Sequence, residues 1–258
     1  MPARRKLRLA TVRSVRNITP NMRRIVLGGA DFADFPTGRE GGYIKLAFPD
    51  APHATPDDPA MRTYSVRAHD PASCEITVDF ALHGDAGGLA TDWALTVAPG
   101  DQIALGGPGS VKMVDSTADW ILLAADMTGL PALACNVEQL PRDAIGYVVV
   151  EITSEADKQP FDLPDGVALH WVINPHPETD KDKLLSQIRA LAWRAGRPFV
   201  WTACEFDTMR ALRSYYRTDR QIGRNEFYLS SYWRAGRTED QHKVDKAKDN
   251  ADTVPATT

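Results

Sequence analysis

The chain has no apolar run near the roughly 20 residues that a membrane-spanning helix needs. Its basic opening, P-A-R-R-K-L-R-L, is not followed by the apolar stretch of a secretory signal. Membrane insertion is therefore not expected, and a cytoplasmic location is. Cysteine is scarce: Cys74, Cys135 and Cys204 lie far apart, with no C-x-x-C and no nearby histidine partner. That spacing argues against a disulfide framework and against zinc or iron–sulfur ligand sets, and it leaves three small residues for the core. His53, His69, His170, His176 and His242 show no ligand spacing, and no Ser–His–Asp or Cys–His set is legible. A formal charge of −4 over 258 residues argues against a general nucleic-acid or anionic-membrane footprint. Any basic site must then be a local concentration of Arg and Lys. A dinucleotide fingerprint of the form G-x-G-x-x-G is also missing.

What is there divides into two halves of different periodicity. From about residue 6 to 113 short strands are broken by Gly, Pro and Asp: Leu9–Val15, Arg23–Gly28, Tyr43–Phe48, Arg62–Ala68, Glu75–His83 and Asp101–Gly106. In Glu75–His83, Ile76, Val78, Phe80 and Leu82 point one way and Glu75, Thr77, Asp79 and His83 the other, the pattern of a half-buried antiparallel strand. Several such strands at short spacing predict a small β-barrel. After Ser116 come apolar runs, Trp120–Ala125, Ala144–Ile152, Val167–Ile173 and Phe199–Ala203, which read as parallel strands buried on both faces. Candidate helices lie between them at Leu130–Leu140, Lys181–Trp193 and Asp207–Tyr216. Alternation of this kind predicts a doubly wound sheet whose ligand lies beyond the strands' C-terminal ends. A last strand, Asn225–Tyr232, leads into a polar tail from about Thr238, helical or frayed, with no core to join and a mobile end. The expected domains are 1–115, 116–237 and the tail 238–258.

Met61–Arg67, M-R-T-Y-S-V-R, places two arginines, a tyrosine and two hydroxyls on one strand. A flavin dinucleotide calls for such a set: cations for its pyrophosphate, hydroxyls for the polar edge of its ring and a flat surface beside it. Alternation sends Arg62 and Tyr64 to one face and Thr63, Ser65 and Arg67 to the other, so one ligand meets them all only near a strand end or bend. Alone, the segment reads as solvated edge decoration. Further on, G-D-A-G-G-L-A-T-D-W-A offers glycines for close backbone approach and a helix start whose free N–H groups favour an anion. Alone, it reads as a Gly-rich turn before a packed helix.

Taken together, R-T-Y-S-V-R, V-D-F-A-L-H-G-D-A-G-G-L-A-T-D-W-A, P-G-D-Q-I-A-L-G-G-P, D-W-I-L-L-A-A-D-M-T-G-L-P-A-L and Y-W-R-A-G-R resemble the siderophore-interacting protein family of ferric-siderophore reductases, in the ferredoxin–NADP reductase-like superfamily. These segments run from residue 62 to 237. The resemblance implies an antiparallel Greek-key FAD-binding barrel followed by a doubly wound, NAD(P)H-binding-like α/β domain. By it, Arg62, Thr63, Tyr64 and Ser65 hold the flavin ring and ribityl chain, Arg67 and the turn Gly87, Gly88, Ala90 and Thr91 its phosphates, and Asp79, Phe80, His83 and Asp85 its remaining parts. The family often has Gly-Pro-Ala-Ser where this chain has Gly88-Leu89-Ala90-Thr91, and glycine in W-x-A-G-E where it has Cys204. Asp126, Met127, Thr128 and Pro131 fall at the implied nicotinamide site, with an N-cap the alternative role for Thr128. Glu205 falls on the same side. Trp233 either covers the active-site mouth or is an ordinary core tryptophan.

The implied substrate is a ferric siderophore, whose hard oxygen ligands often carry negative charge. Lys45, Lys112 and Arg234 are the candidate cations for it, Lys45 and Arg234 also as catalytic residues in the sense of positioning and charge. Arg39 and Arg237 are weaker candidates, and Lys243, Lys246 and Lys248 could add a basic edge. FAD, with NAD(P)H as donor and reduced ferredoxin as a further donor, completes the expected set, in a monomer without nucleic acid or metal cofactor. Two alternatives stay open: a general FAD-dependent reductase of a protein or quinone, and a siderophore-binding module without enzymatic activity.

Overall fold

Residues with period-2 patterning form the strands of the first unit. The structure, a computed structural model, describes residues 7–82 and 88–253. Strands β1 (Arg8–Thr19), β2 (Met22–Gly28), β3 (Tyr43–Phe48), β4 (Ala60–Ser65), β5 (Ala68–Asp70), β6 (Glu75–Ala81) and β7 (Gln102–Gly106) form one antiparallel sheet, with helix α1 (Leu89–Thr96) between β6 and β7. Their order is β4-β3-β7-β1-β2-β6-β5. Ile76, Val78 and Phe80 of β6 are fully buried as the alternation predicts, with Ile25, Leu27, Ile44, Leu46 and Leu105 around them. Asp79, expected to point outward, is also buried, because Arg24 of the neighbouring strand grips its carboxylate with two bonds of 2.7 Å.

The segment predicted as one strand over Arg62–Ala68 is two. β4 pairs with β3 and β5 with β6, at opposite ends of the strand order, yet only Val66 and Arg67 separate them. Val66 N–H donates to Gly42 O at 2.8 Å and Arg67 N–H to Thr77 O at 2.8 Å. One stretch of chain thus serves both ends of the strand order, as closure into a Greek-key barrel requires.

The second sheet is parallel: β8 (Trp120–Ala125), β9 (Ile145–Ile152), β10 (Gly166–Ile173), β11 (Pro198–Glu205) and β12 (Phe227–Trp233), in the order β10-β9-β8-β11-β12. Every residue of β8 is buried, as an apolar run covered on both faces requires. The chain winds one way from β8 to β10 and the other from β11 to β12, so the switch point falls between β8 and β11. The helices are α2 (Leu130–Glu138), α3 (Lys183–Ala190), α4 (Phe206–Ser214) and α5 (Glu239–Thr253). A π-turn, Tyr215–Asp219, prolongs α4 and lets two consecutive tyrosines, Tyr215 and Tyr216, both be buried.

Contacts divide the chain into two compact units. The first runs through Met113 and takes in Pro131–Gln139 and Ala156–Asp162; the second holds Val114–Leu130, Leu140–Glu155 and the chain from Leu163. Asp157 ties its segment to the first unit, accepting from Thr19 Oγ1 at 2.8 Å and from Asn21 N and Nδ2 at 2.9 and 2.8 Å.

The tail corrects the expectation that it has no core to join. α5 buries His242, whose Nε2 lies 2.8 Å from Ser231 Oγ, and turns Asp249 onto Arg213 through two bonds of 2.7 Å. Its stripe is electrostatic rather than apolar, so a search for hydrophobic periodicity passes over it. The basic edge expected there does not form: Lys246 donates inward to Ser230 Oγ and Ser231 O, and Lys243 pairs with Glu239 and Asp240.

Candidate functional site

In the first unit the site gathers at the barrel closure. Register sets Lys45 of β3 opposite Thr63 of β4 and Tyr43 opposite Ser65, on one face. Thr63 is exposed and Ser65 buried. On the other face the Tyr64 ring lies 4.3 Å from the Phe80 ring, which in turn meets Trp93 at 5.7 Å. Phe80 has no exposed surface, so its expected contact with a cofactor is corrected to a support beneath Tyr64. Arg62 donates to Met61 O at 3.0 Å. Lys45 makes no ion pair among the described residues, whereas Lys112 is exposed and gives its carbonyl to Asn136 Nδ2 at 3.5 Å.

Arg67, expected at the phosphates, forks instead onto Glu138 of α2, with one bond of 3.1 Å and a shorter one. The same helix seats Cys135 against the closure, its Sγ 3.3 Å from Arg67 O, and burial pushes that thiol's pKa up to about 11. It is an inert packing group. Pro131 stands in the first turn of α2, where its missing N–H costs nothing.

α1 starts at Gly88, which is extended (φ −101°, ψ 158°) and supplies no side-chain cap. A Cβ at Gly88 would meet nothing within 4 Å, while Ala90 and Thr91 behind it are buried. Among the described residues no side chain caps the first-turn amides, as an anion site at a helix start requires. An exposed hydroxyl, a ring with a packed backing, a bend that breaks the alternation and an uncapped helix start together fit an FAD. His83, Asp85 and Gly87, assigned to the same cofactor, lie outside the described residues.

In the second unit the corresponding residues bond to one another. Asp126 follows β8 and is 4% exposed; its Oδ1 accepts Thr128 N at 2.9 Å, Thr128 Oγ1 at 2.6 Å and Gly129 N at 3.1 Å, and its Oδ2 accepts Trp233 Nε1 at 2.7 Å. Its own carbonyl accepts from Leu130 N. The cap of α2 is thus Asp126, not Thr128. Burial raises the Asp126 pKa against the pull of these bonds. Trp233 is half-buried, anchored by its indole N–H across the strand ends.

Glu205 ends β11 and caps α4, accepting Asp207 N at 2.6 Å and Thr208 N at 3.1 Å, and it also takes Ala235 N and Lys181 Nζ. With 3% exposure it holds a corner rather than offering an atom to a nicotinamide, which corrects the expected contact. Arg234 reaches Asp245 at 2.6 Å and Asp207 at 3.7 Å and lies over the Phe206 ring at 4.5 Å; Arg237 reaches Asp245 at 3.4 Å. Both expected free cations are paired. Beside Asp126, burial and that neighbouring carboxylate push Glu151 up to about 8. Cys204, raised well above its ordinary range by burial, keeps the place of the family's glycine without a reactive thiol. Close approach at this switch point is secured instead by Gly129, where a Cβ would come 2.2 Å from Ala203 O.

The partners Arg24, Glu138, Asp157, Lys181 and Asp245 carry no local signal in the sequence. Only the topology reveals them.

Comparison with known proteins adds the following. The family model described as "Siderophore-interacting protein" matches residues 118–236, and that described as "Siderophore-interacting FAD-binding domain" matches 11–58 and 53–112. The chain is 28% identical to the ferric vibriobactin reductase ViuB of Vibrio cholerae, over 89% of this chain and 90% of that protein. It is also 28% identical to the NADPH-dependent ferric-chelate reductase of Escherichia coli, over 89% and 94%. The crystal structure of the siderophore-interacting protein SipS from Aeromonas hydrophila superposes with a TM-score of 0.84 at 31% identity, covering 96% of this chain and 99% of that one.

Proposed function

The chain belongs to the siderophore-interacting protein family, and we propose that it is an FAD-dependent reductase that takes electrons from NAD(P)H and passes them to a ferric siderophore. The observation that carries this reading is the barrel closure, where β4, paired with β3 and Lys45, ends in a bend, in the same unit as the uncapped start of α1. FAD bound there supplies the conversion of a two-electron hydride into single electrons. The chain's own residues do the holding. Thr63 and Ser65 offer hydroxyls, the Tyr64 ring offers a flat wall, Arg62 offers charge, and Gly88, Ala90 and Thr91 offer amides to a phosphate. The reductase names of the V. cholerae and E. coli relatives support the same reaction.

Lys45 is the residue we assign to the substrate. Fe(III) held by hard oxygen donors comes as an anionic complex in the catecholate case, and a lysine without an acid partner among the described residues raises its encounter rate and orients it. Lys112 adds to the same field. Reduced iron leaves because the lower charge binds hard oxygen ligands less tightly. Arg234, shared by Asp245 and Asp207, acts as a positioning residue for the end of β12. In the second unit, the parallel sheet with a switch point between β8 and β11 supports NAD(P)H as the donor, with Thr128 and Trp233 at the strand ends that would receive it. The reaction belongs to the cytoplasm, where such donors are available.

Purified protein tests the reading directly. It should be yellow with stoichiometric FAD, bleach on anaerobic mixing with NADPH or NADH, and recover its colour on adding a ferric siderophore. A colourless chain that cannot be reconstituted sinks the proposal. Recovery with quinones but not with ferric siderophores would leave a general reductase instead, and bleaching by reduced ferredoxin alone would replace the nicotinamide donor.

A further inference from the structure

Residues 189–224 carry eight arginines, no lysine and three acids, in a chain whose net charge is −4. Arg210 and Arg213 are taken up by Asp249, and Arg197 by Asp115 and Thr117. The other five, Arg189, Arg194, Arg217, Arg220 and Arg224, have one ion pair among the described residues, Asp219 at 3.8 Å from Arg189, and Arg217 also stands in the field of Asp249. Four of them lie over rings. Arg220 is 4.7 Å from the Trp193 centroid and 5.3 Å from that of Tyr215, Arg189 5.4 Å from Tyr215, Arg194 5.0 Å from Tyr147 and Arg217 5.4 Å from Phe227. The π-turn after α4 carries Arg217 and is followed at once by Arg220. A guanidinium resting on a ring is held in place yet keeps N–H groups in its own plane for a contact; Arg220 gives its Nε–H to Tyr215 Oη at 2.6 Å and keeps the others.

This belt has a definite position in the second unit. Tyr147 belongs to the start of β9, Arg194 precedes β11, and Phe227 opens β12, so the arginines stand at the end of the parallel sheet where its strands begin. Asp126, Glu205 and Trp233 stand at the opposite end. Ile145, 41% exposed, opens β9 at the belt's end of the sheet. We propose that this belt is a docking surface for the phosphate headgroups of an anionic phospholipid membrane, used by the chain without insertion.

Three features favour that occupant. Arginine without lysine suits phosphate, which accepts the fork bidentately. The rings are covered by guanidinium groups and not offered to bases, which disfavours single-stranded nucleic acid. Four cations on the rings of one aromatic cluster, with exposed Arg224 close in sequence, match a dense headgroup layer whose phosphates can each move to meet a fork, with an exposed isoleucine for the interface. An acidic protein would need a fixed complementary pattern. Docking by this end leaves the switch-point end of the same sheet uncovered.

The test is co-sedimentation of the intact chain with vesicles of phosphatidylcholine alone and of phosphatidylcholine mixed with phosphatidylglycerol. Binding is expected only to the anionic vesicles, falling steeply as salt is raised. Changing Arg217, Arg220 and Arg224 together to Gln should weaken it about 100-fold, and the same three to Lys should retain a large part of the binding. Arg217→Gln with Arg224→Gln, both exposed and away from the core, keeps the test sound if the triple variant folds poorly, and should cost about tenfold or more. Equal sedimentation with neutral vesicles, unchanged binding by the double variant, or binding to polyglutamate or single-stranded RNA in place of vesicles would each overturn the proposal. Sedimentation uses no redox activity, so its outcome is independent of the reductase reading.

Discussion

The barrel closure and the switch point of the parallel sheet carry similar residue types, but one is left open and the other is closed upon itself. At the closure Thr63 is exposed, Lys45 has no acid partner among the described residues and α1 starts without a cap. At the switch point Asp126 and Trp233 bond to each other, Glu205 to Lys181 and backbone amides, and Arg234 to Asp245 and Asp207. The difference separates two uses of polar groups. Exposed polar groups on a packed support serve a ligand, whereas a set bonded largely within itself fixes the loops that carry it.

The contrast is easiest to break at its glycines. Gly129→Ala puts a methyl 2.2 Å from a carbonyl oxygen and should destabilise the chain by about 3 kcal/mol or prevent folding, whereas Gly88→Ala, pointing into open space, should stay within about 0.5 kcal/mol in the same thermal melt. Comparable melting of the two would show that close approach at the switch point does not matter. Next in size is Glu205→Ala, which strips α4 of its cap and leaves Lys181 to Asp207 alone; a loss of about 2–3 kcal/mol by urea titration is expected, with FAD content of the folded fraction unchanged.

Glu151 gives a pH signature. Its folded-state pKa of about 8 lies above the ordinary 4.5, so the proton it keeps stabilises the fold fully below 4.5, and that contribution is lost as pH rises through 8. Glu151→Gln should therefore flatten the decline in melting temperature across that window, and parallel curves for the two proteins would contradict it. The smallest effect sharpens the comparison from the open side. Lys45→Ala should slow reduction of an anionic ferric catecholate about threefold to tenfold at low salt with FAD content intact, while Arg234→Ala, already neutralised, should change the salt dependence little. Reversal of that order in stopped-flow rates would move the substrate cation to Arg234.

Local pattern was enough to locate the strands: β3 and β8 begin and end where alternation and apolar runs say, and the βαβ grammar predicts the parallel sheet. It fails where distant partners decide. R-T-Y-S-V-R-A alternates without interruption, so nothing local marks the break that Gly42 and Thr77 impose at Val66 and Arg67. Candidate residues were legible by type, but their engagement was not, because Glu138 is 71 residues from Arg67 and Asp79 is 55 from Arg24. α5 escaped for a related reason: two aspartates one turn apart, facing arginines of α4 and Arg234 just after β12, leave no apolar stripe.

The strand that fastens the barrel is also the strand with the cofactor's candidate hydroxyls, ring and charge. Selection on this segment therefore cannot act on one role without touching the other. A mutational scan across Met61–Arg67 that scores only function will report misassembled barrels and empty ones as the same phenotype, except at Thr63, whose side chain faces outward and lets the two be told apart.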